Sequence, residues 1–376
     1  GHRRDQRATP AIVFVAAYCV RMLNETTDAL LPDVSGLWRV YVSDVDCQRF
    51  LESLRQVALP PFIEQDSVLR IATRHSFPDS VVKEWIERFG PEETEQLCAT
   101  LNSPAPITIR VNTLAATQEH CLSVLRQEGL EAQPTRLSPV GLILSKRFNT
   151  QSLQPFKQGH FEMQDEGSQL LSMLVQPSPG STVVDACAGS GGKTLHLAAL
   201  MNNIGRLVAV DIEEYRLKNI RERLRRAGVS IVETLLASRD QESILTLKEN
   251  ADAVLIDAPC SGVGTFRRNP GAKLTFTESF VESVAKTQRE VLDQYCALVK
   301  PGGRLVYCTC TLLGKENEDQ VASFLERHPE FELQSAPAIL LQQQVKVDAS
   351  SPFLTLLPHK TTTDGFFAAV MTRKAL

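Results

Sequence analysis

The residues Ser181-Thr-Val-Val-Asp-Ala-Cys-Ala-Gly-Ser-Gly-Gly-Lys-Thr194 carry an apolar run into a loop of small side chains. Gly205-Arg-Leu-Val-Ala-Val-Asp211 follows with a second apolar run that ends on an acid. The two runs read as strands over 181–186 and 206–210. Further strands are expected at 232–237, 253–256 and 304–308, with helices at 194–201, 213–227 and 280–298 between them. Alternation of strand, loop and helix predicts an α/β domain built on a parallel sheet with helices on both faces. Ligands of such sheets lie outside the carboxyl ends of the strands, so the residues just after each strand are where chemistry is to be sought.

The loop itself is Cys187, Ala188, Gly189, Ser190, Gly191 and Gly192. Small side chains let backbone approach a ligand, and the helix that follows offers its positive N-terminus. Three readings compete. Gly192-Lys193-Thr194 fits the end of a phosphate-gripping P-loop, and Asp257 after an apolar strand resembles its metal-binding acid. The P-loop pattern, however, requires Gly where Cys187 stands. A dinucleotide fingerprint requires Gly where Thr194 stands. The third reading is an S-adenosylmethionine loop, in which an acid precedes a small-residue turn. Asp211 lies about 20 residues beyond the glycines, where a carboxylate accepts hydrogen bonds from both hydroxyls of a ribose. A P-loop does not ask for that residue. Asp240, after the third strand, is placed to meet an adenine amino group. Acids at successive strand ends favour an adenosine-containing cofactor.

Two later strands run into cysteines, in Asp257-Ala-Pro-Cys-Ser-Gly262 and Tyr307-Cys-Thr-Cys-Thr311. A lone buried Cys is usually an inert small hydrophobe, but Cys260 and Cys310 both fall at the predicted cleft beside a carboxylate. A thiolate there can add to C6 of a pyrimidine, which makes C5 nucleophilic enough to take a methyl group. Lys193 is a candidate for the cation that favours the thiolate. Cys308 shares a strand face with Cys310 and is expected to point into the same region.

These motifs together resemble the RNA cytosine-5 methyltransferases, the family of the bacterial ribosomal enzyme Sun/Fmu and the eukaryotic nucleolar and NSUN proteins. The resemblance runs from about residue 105 onward. It rests on Arg110-Val-Asn-Thr-Leu114, Gln164-Asp-Glu-Gly-Ser-Gln169, residues 185–194, Asp211 with Arg216, Asp257 to Gly264, Arg268-Asn-Pro270, Tyr307 to Thr311, Glu316-Asn-Glu318 and Asp364-Gly-Phe-Phe367. It implies a Rossmann-like S-adenosylmethionine-dependent methyltransferase domain over 151–376, a small α/β RNA-recognition-like unit over 105–150 and a helical region over 1–104. Some relatives carry a NusB-like domain in that first region. It further implies Cys310 as nucleophile and Cys260 as the thiol that assists product release, with Cys260 the second choice as nucleophile. Asp257 would face the cytosine edge, with Lys193 near the reacting base. The cofactor would be held by residues 187–193, Asp211, Arg216, Asp240 and Asp257. The substrate implied is ribosomal RNA. Transfer RNA, a P-loop NTPase and a non-catalytic RNA-binding protein are the alternatives.

An enzyme of this kind must reach its base in a single strand or flip it out. Arg267 and Arg268, beside the Pro-Cys loop, and Arg110 in the small unit are the candidates for contacts to RNA phosphates. The basic run from Arg216 to Arg226 reads more readily as a solvated helix face. Phe266, Phe276 and Phe366 read as core rather than as a stacking platform.

Composition bounds the rest. Hydrophobic residues make up 43% and charged residues 22% of the 376 residues, which excludes wholesale disorder. A formal net charge of −4 excludes a protein coated in positive charge but not a local basic rim. Nine cysteines in so long a chain read as free thiols of a reducing, cytoplasmic compartment (nucleolar or mitochondrial in a eukaryote) rather than as a disulfide framework. No zinc-type spacing accompanies Cys308-Thr-Cys310, so no metal is expected. No run reaches the roughly 18 apolar residues of a membrane span, and Ala11 to Val20 reads as a buried helix. No feature points to an obligate protein partner. Residues 1–104 read as helices punctuated by Pro60-Pro61, Pro78 and Gly90-Pro91.

Overall fold

The computed structural model describes residues 44–56 and 61–375. The expectation for Ala11 to Val20 lies outside them. The chain divides into two compact units, the first ending at Ala99 and the second running from Thr100 onward.

The described part of the first unit is helical: Asp44–Gln56, Pro61–Gln65, Ser67–His75, Asp79–Phe89 and the start of Pro91–Leu101. The expected breakers act where they stand. Pro61 and Pro91 open helices, and Pro78 caps another. Asp66 caps the Ser67 helix by accepting from Val68 N at 2.8 Å and Leu69 N at 3.1 Å. Ile71, Val82, Trp85 and Leu97 are fully buried.

The second unit carries two sheets. Strands β1 (Ile107–Val111), β2 (Ala132–Pro134), β3 (Gly141–Leu144) and β4 (Phe161–Met163) form the smaller, in the order β2-β3-β1-β4 with every pairing antiparallel. Helix Gln118–Gln127 buries Cys121 and Leu125 against it. Strand β4, beyond the expected boundary at residue 150, completes this sheet by pairing with β1.

The larger sheet contains β5 (Thr182–Ala186), β6 (Arg206–Asp211), β7 (Val232–Leu236), β8 (Ala251–Asp257), β9 (Val299–Thr309), β10 (Phe331–Gln334), β11 (Leu354–Leu356) and β12 (Phe366–Arg373). Its order is β10-β12-β9-β8-β5-β6-β7, with β11 also on β12. Strands β5 to β9 pair in parallel as expected, whereas β10, β11 and β12 add an antiparallel edge. Alternate residues enter opposite cores. Val183, Leu207, Leu255 and Val306 join one apolar cluster, and Val184, Val208, Val254 and Leu305 join the other. Both faces are thus covered, as the continuous apolar strands require.

Buried polar groups join the two sheets. Asn112 Nδ2 donates to Gly159 O at 2.8 Å and to Ala227 O at 2.9 Å. Glu162 of β4, nearly fully buried, accepts from Arg223 at 2.9 Å and from Arg226, both on helix Glu214–Ala227. Among the described residues no helix is long and apolar enough to cross a membrane.

Candidate active site

The loop after β5 is bent by left-handed backbone at Cys187, Gly189 and Gly191, with φ of 66°, 55° and 82°. A side chain on Gly191 would strike Ile220, whereas a Cβ on Gly189 would meet nothing within 4 Å. The loop is therefore packed below and open above, as backbone meant to meet a ligand must be. Helix Gly192–Leu200 follows directly. Asp211, buried at the end of β6, accepts from Gly189 N at 2.8 Å and from Glu213 N at 2.8 Å. A carboxylate has about four lone-pair positions, so Asp211 keeps capacity for ribose hydroxyls. These features fit an adenosine-containing cofactor. Asp240 turns its carboxylate back to Leu236 N at 2.7 Å and to Arg239. Arg216 lies half-exposed, paired with Glu213 at 3.1 Å.

Asp185 is fully buried and accepts from Thr194 Oγ1 at 2.6 Å. Burial and the nearby Asp257 push its carboxyl up to about 7, against the Thr194 hydrogen bond. It ties strand to loop from below rather than facing the cleft.

Lys193 Nζ lies 2.7 Å from Asp257 Oδ2. Burial opposes the ammonium's charge, but Asp257 and its neighbours outweigh burial and hold its pKa above the ordinary value. The cation expected beside the thiolate is thus taken up by the carboxylate. Cys308 is fully buried and donates to Asp257 Oδ1 at 3.6 Å. Burial, then Asp257, holds this thiol well above its ordinary range. Cys310 lies just past the end of β9, and it and Cys308 both pack on one apolar cluster, yet Cys308 remains a protonated neighbour of Asp257.

The loops after β8 and β9 bring Cys260 Sγ to 3.3 Å from Cys310 Sγ. Both side chains are partly exposed. The contact with Cys310, then burial, raises the Cys260 thiol well above its ordinary value.

The expected phosphate contacts need correction. Arg110 is 1% exposed, and its guanidinium donates to Gln164 Oε1 and, at 2.7 Å, to Gly192 O. It braces the glycine loop from inside the protein and cannot reach a phosphate. The Arg267 side chain is 2% exposed, with Nε 2.6 Å from Asp364 Oδ1. Arg268 is partly exposed, but it spans Asp364 and Asp165, with Nη2 2.9 Å from Asp165 Oδ2. Sequence reading missed these acids because they lie about a hundred residues away in the chain. The basic helix is likewise only partly a solvated face, since Arg223 and Arg226 serve Glu162. Phe266 and Phe366 are buried, as expected of core residues. No metal-type group of three or more His, Cys, Asp or Glu residues occurs among the described residues.

The parallel strands, the open glycine loop and the acid ending β6 define a Rossmann-like, S-adenosylmethionine-dependent methyltransferase. Residues 172–372 match the 16S rRNA methyltransferase RsmB/F family, and residues 77–151 match the ferredoxin-like domain of RsmF/B-like methyltransferases. The chain belongs to this family and is an S-adenosylmethionine-dependent rRNA methyltransferase. It is 35% identical, over 86% of its length and 72% of the relative's, to the "Probable ribosomal RNA small subunit methyltransferase B" of Bacillus subtilis. Among solved structures it resembles PH0851, with a TM-score of 0.75 and 31% identity, covering 92% of this chain and 77% of that one. It also resembles a methyltransferase homolog protein from Pyrococcus horikoshii, with a TM-score of 0.69 and 27% identity over 84% of this chain and all of that one.

Proposed function

We propose that methylation proceeds through a covalent bond between Cys310 Sγ and C6 of the target cytosine, with Cys260 assisting release. The observation that carries this reading is the 3.3 Å contact between two thiols on neighbouring loops beside a Lys193-held carboxylate. As thiolate, Cys310 adds to C6, and the electron pair displaced from the C5–C6 double bond makes C5 nucleophilic. When bound, S-adenosylmethionine would supply the electrophilic methyl group that C5 takes and would leave as S-adenosylhomocysteine. After a base removes the C5 proton, the C6–S bond breaks and its electrons return to sulfur. Cys260, whose Sγ lies 3.3 Å from Cys310 Sγ, then donates its S–H to the departing thiolate and eases elimination. Asp257, fixed by Lys193, accepts from the exocyclic amino group of cytosine and so selects the base. The cofactor would lie along residues 187–192 with Asp211 on its ribose.

Incubation of the protein with methyl-labelled S-adenosylmethionine and unmodified small-subunit rRNA, followed by nucleoside analysis, tests the reading. Label in 5-methylcytidine is expected. Label at another atom, or only in transfer RNA, would contradict it.

A further inference from the structure

We infer that Glu316 is the positioning residue that holds the two thiols in register, by clamping the loop after β8 to the loop after β9. This rests on the proposed division of labour between Cys260 and Cys310. Each thiol is followed by a hydroxyl residue, Ser261 and Thr311, and both hydroxyls turn to this one carboxylate. Ser261 N donates to Glu316 Oε2 at 2.7 Å, and Ser261 Oγ donates to Oε1. Thr311 Oγ1 donates to Oε1 at 3.0 Å. Gln288 Nε2 donates to Oε2 at 3.0 Å and to Pro259 O at 2.9 Å, so helix Glu278–Tyr295 backs the same loop.

Glu316 is fully buried, and burial raises its carboxyl above the ordinary value. Four converging donors compensate the buried carboxylate, two N–H groups on Oε2 and two hydroxyls on Oε1. Its own backbone is fixed in turn, since Tyr307 Oη donates to Glu316 O at 2.7 Å. The next residue adds a second strap. Asn317 Oδ1 accepts from Thr309 Oγ1 at 2.6 Å, and its Nδ2 donates to Thr311 O at 3.1 Å. The two loops also meet directly, with Ser261 Oγ 3.0 Å from Thr311 Oγ1 and Gly264 N 3.0 Å from Cys310 O, and this carboxylate is the charged group that binds both.

Glu316→Gln keeps the shape but removes the charge, and with its carbonyl facing Ser261 N and Gln288 Nε2 its amide nitrogen meets the Ser261 and Thr311 hydroxyls, which must both reverse from donor to acceptor. We expect KM for S-adenosylmethionine to change less than about twofold and kcat to fall about 100-fold, the loss expected when reacting groups shift by about 1 Å. Diamide, which takes two hydrogens from a thiol pair and joins the sulfurs, gives a ruler independent of catalysis. Peptide mapping should find the Cys260–Cys310 link forming more slowly in Glu316→Gln than in the wild type. Ser261→Ala and Thr311→Val each remove one donor, and each should lower kcat about fivefold to tenfold. If Glu316→Gln folds and keeps wild-type kcat and linking rate, the inference is wrong. If it does not fold, wild-type values in the Ser261→Ala/Thr311→Val double variant overturn the inference, and slowed turnover and linking support it. A Cys310→Ala variant that still methylates would sink the nucleophile assignment instead, and the linking rates would still decide the clamp.

Discussion

Asp185 shows how much a single buried carboxyl can govern. Its pKa is about 7 in the folded protein, against about 3.9 in an unfolded chain. Between those values the folded state keeps a proton that the unfolded state has lost. Stability therefore falls as pH rises from about 4 to about 7 and levels off above, with a limiting slope of about 1.4 kcal/mol per pH unit. Asp185→Asn has no such titration, so its Tm should decline less than the wild type's across that window. Thermal unfolding of both proteins from pH 4 to pH 8 checks this, and parallel curves would disprove it. The identity of such residues was legible in the sequence, because acids after apolar strands stand out. Their environment was not. Arg110 looked like a free cation, yet its partners lie 54 and 82 residues away in the chain. Glu316 could be seen in Glu-Asn-Glu, but nothing local showed four donors converging on it.

At the level of elements, the first three parallel strands were placed within a residue, and the expected 253–256 and 304–308 are the inner parts of β8 and β9, since period and small-residue loops are local signals. The antiparallel edge was missed. Phe366-Phe-Ala-Ala-Val-Met371 is an unbroken apolar run, which periodicity alone does not assign to strand or helix, and its place beside β9 comes from long-range pairing. That edge also supports the site. Gly264 N donates to Cys310 O at 3.0 Å, and Gly365 N donates to Gly264 O at 2.8 Å. A Cβ on Gly264 would fall 2.3 Å from Gly365 O and 2.8 Å from Cys310 O. Gly264→Ala should therefore cost about 3 kcal/mol or more and depress activity. Gly262→Ala meets only Thr265 Oγ1 at 3.6 Å, so its left-handed φ should cost about 1–2 kcal/mol. Urea unfolding of the two variants compares them, and equal losses would refute the steric reading.

For the whole molecule, the net charge of −4 proves a weak guide to partners. Several of the most suggestive arginines are spent on internal acids: Arg267 and Arg268 on Asp364, Arg223 and Arg226 on Glu162. The α/β class and its cleft at the strand ends were legible because layered sheets force ligands to one edge. The join between the small sheet and the catalytic sheet was not, since Glu162 and Asn112 act through residues far along the chain. The assembled molecule brings two thiols from different loops to 3.3 Å of each other, and the proposal gives them distinct parts. The most direct test is to trap the protein–RNA adduct on denaturing gels with Cys260→Ala and Cys310→Ala. The account predicts that Cys260→Ala accumulates a covalent complex that slows turnover, and that Cys310→Ala forms none. A stable complex from Cys310→Ala and none from Cys260→Ala would contradict it.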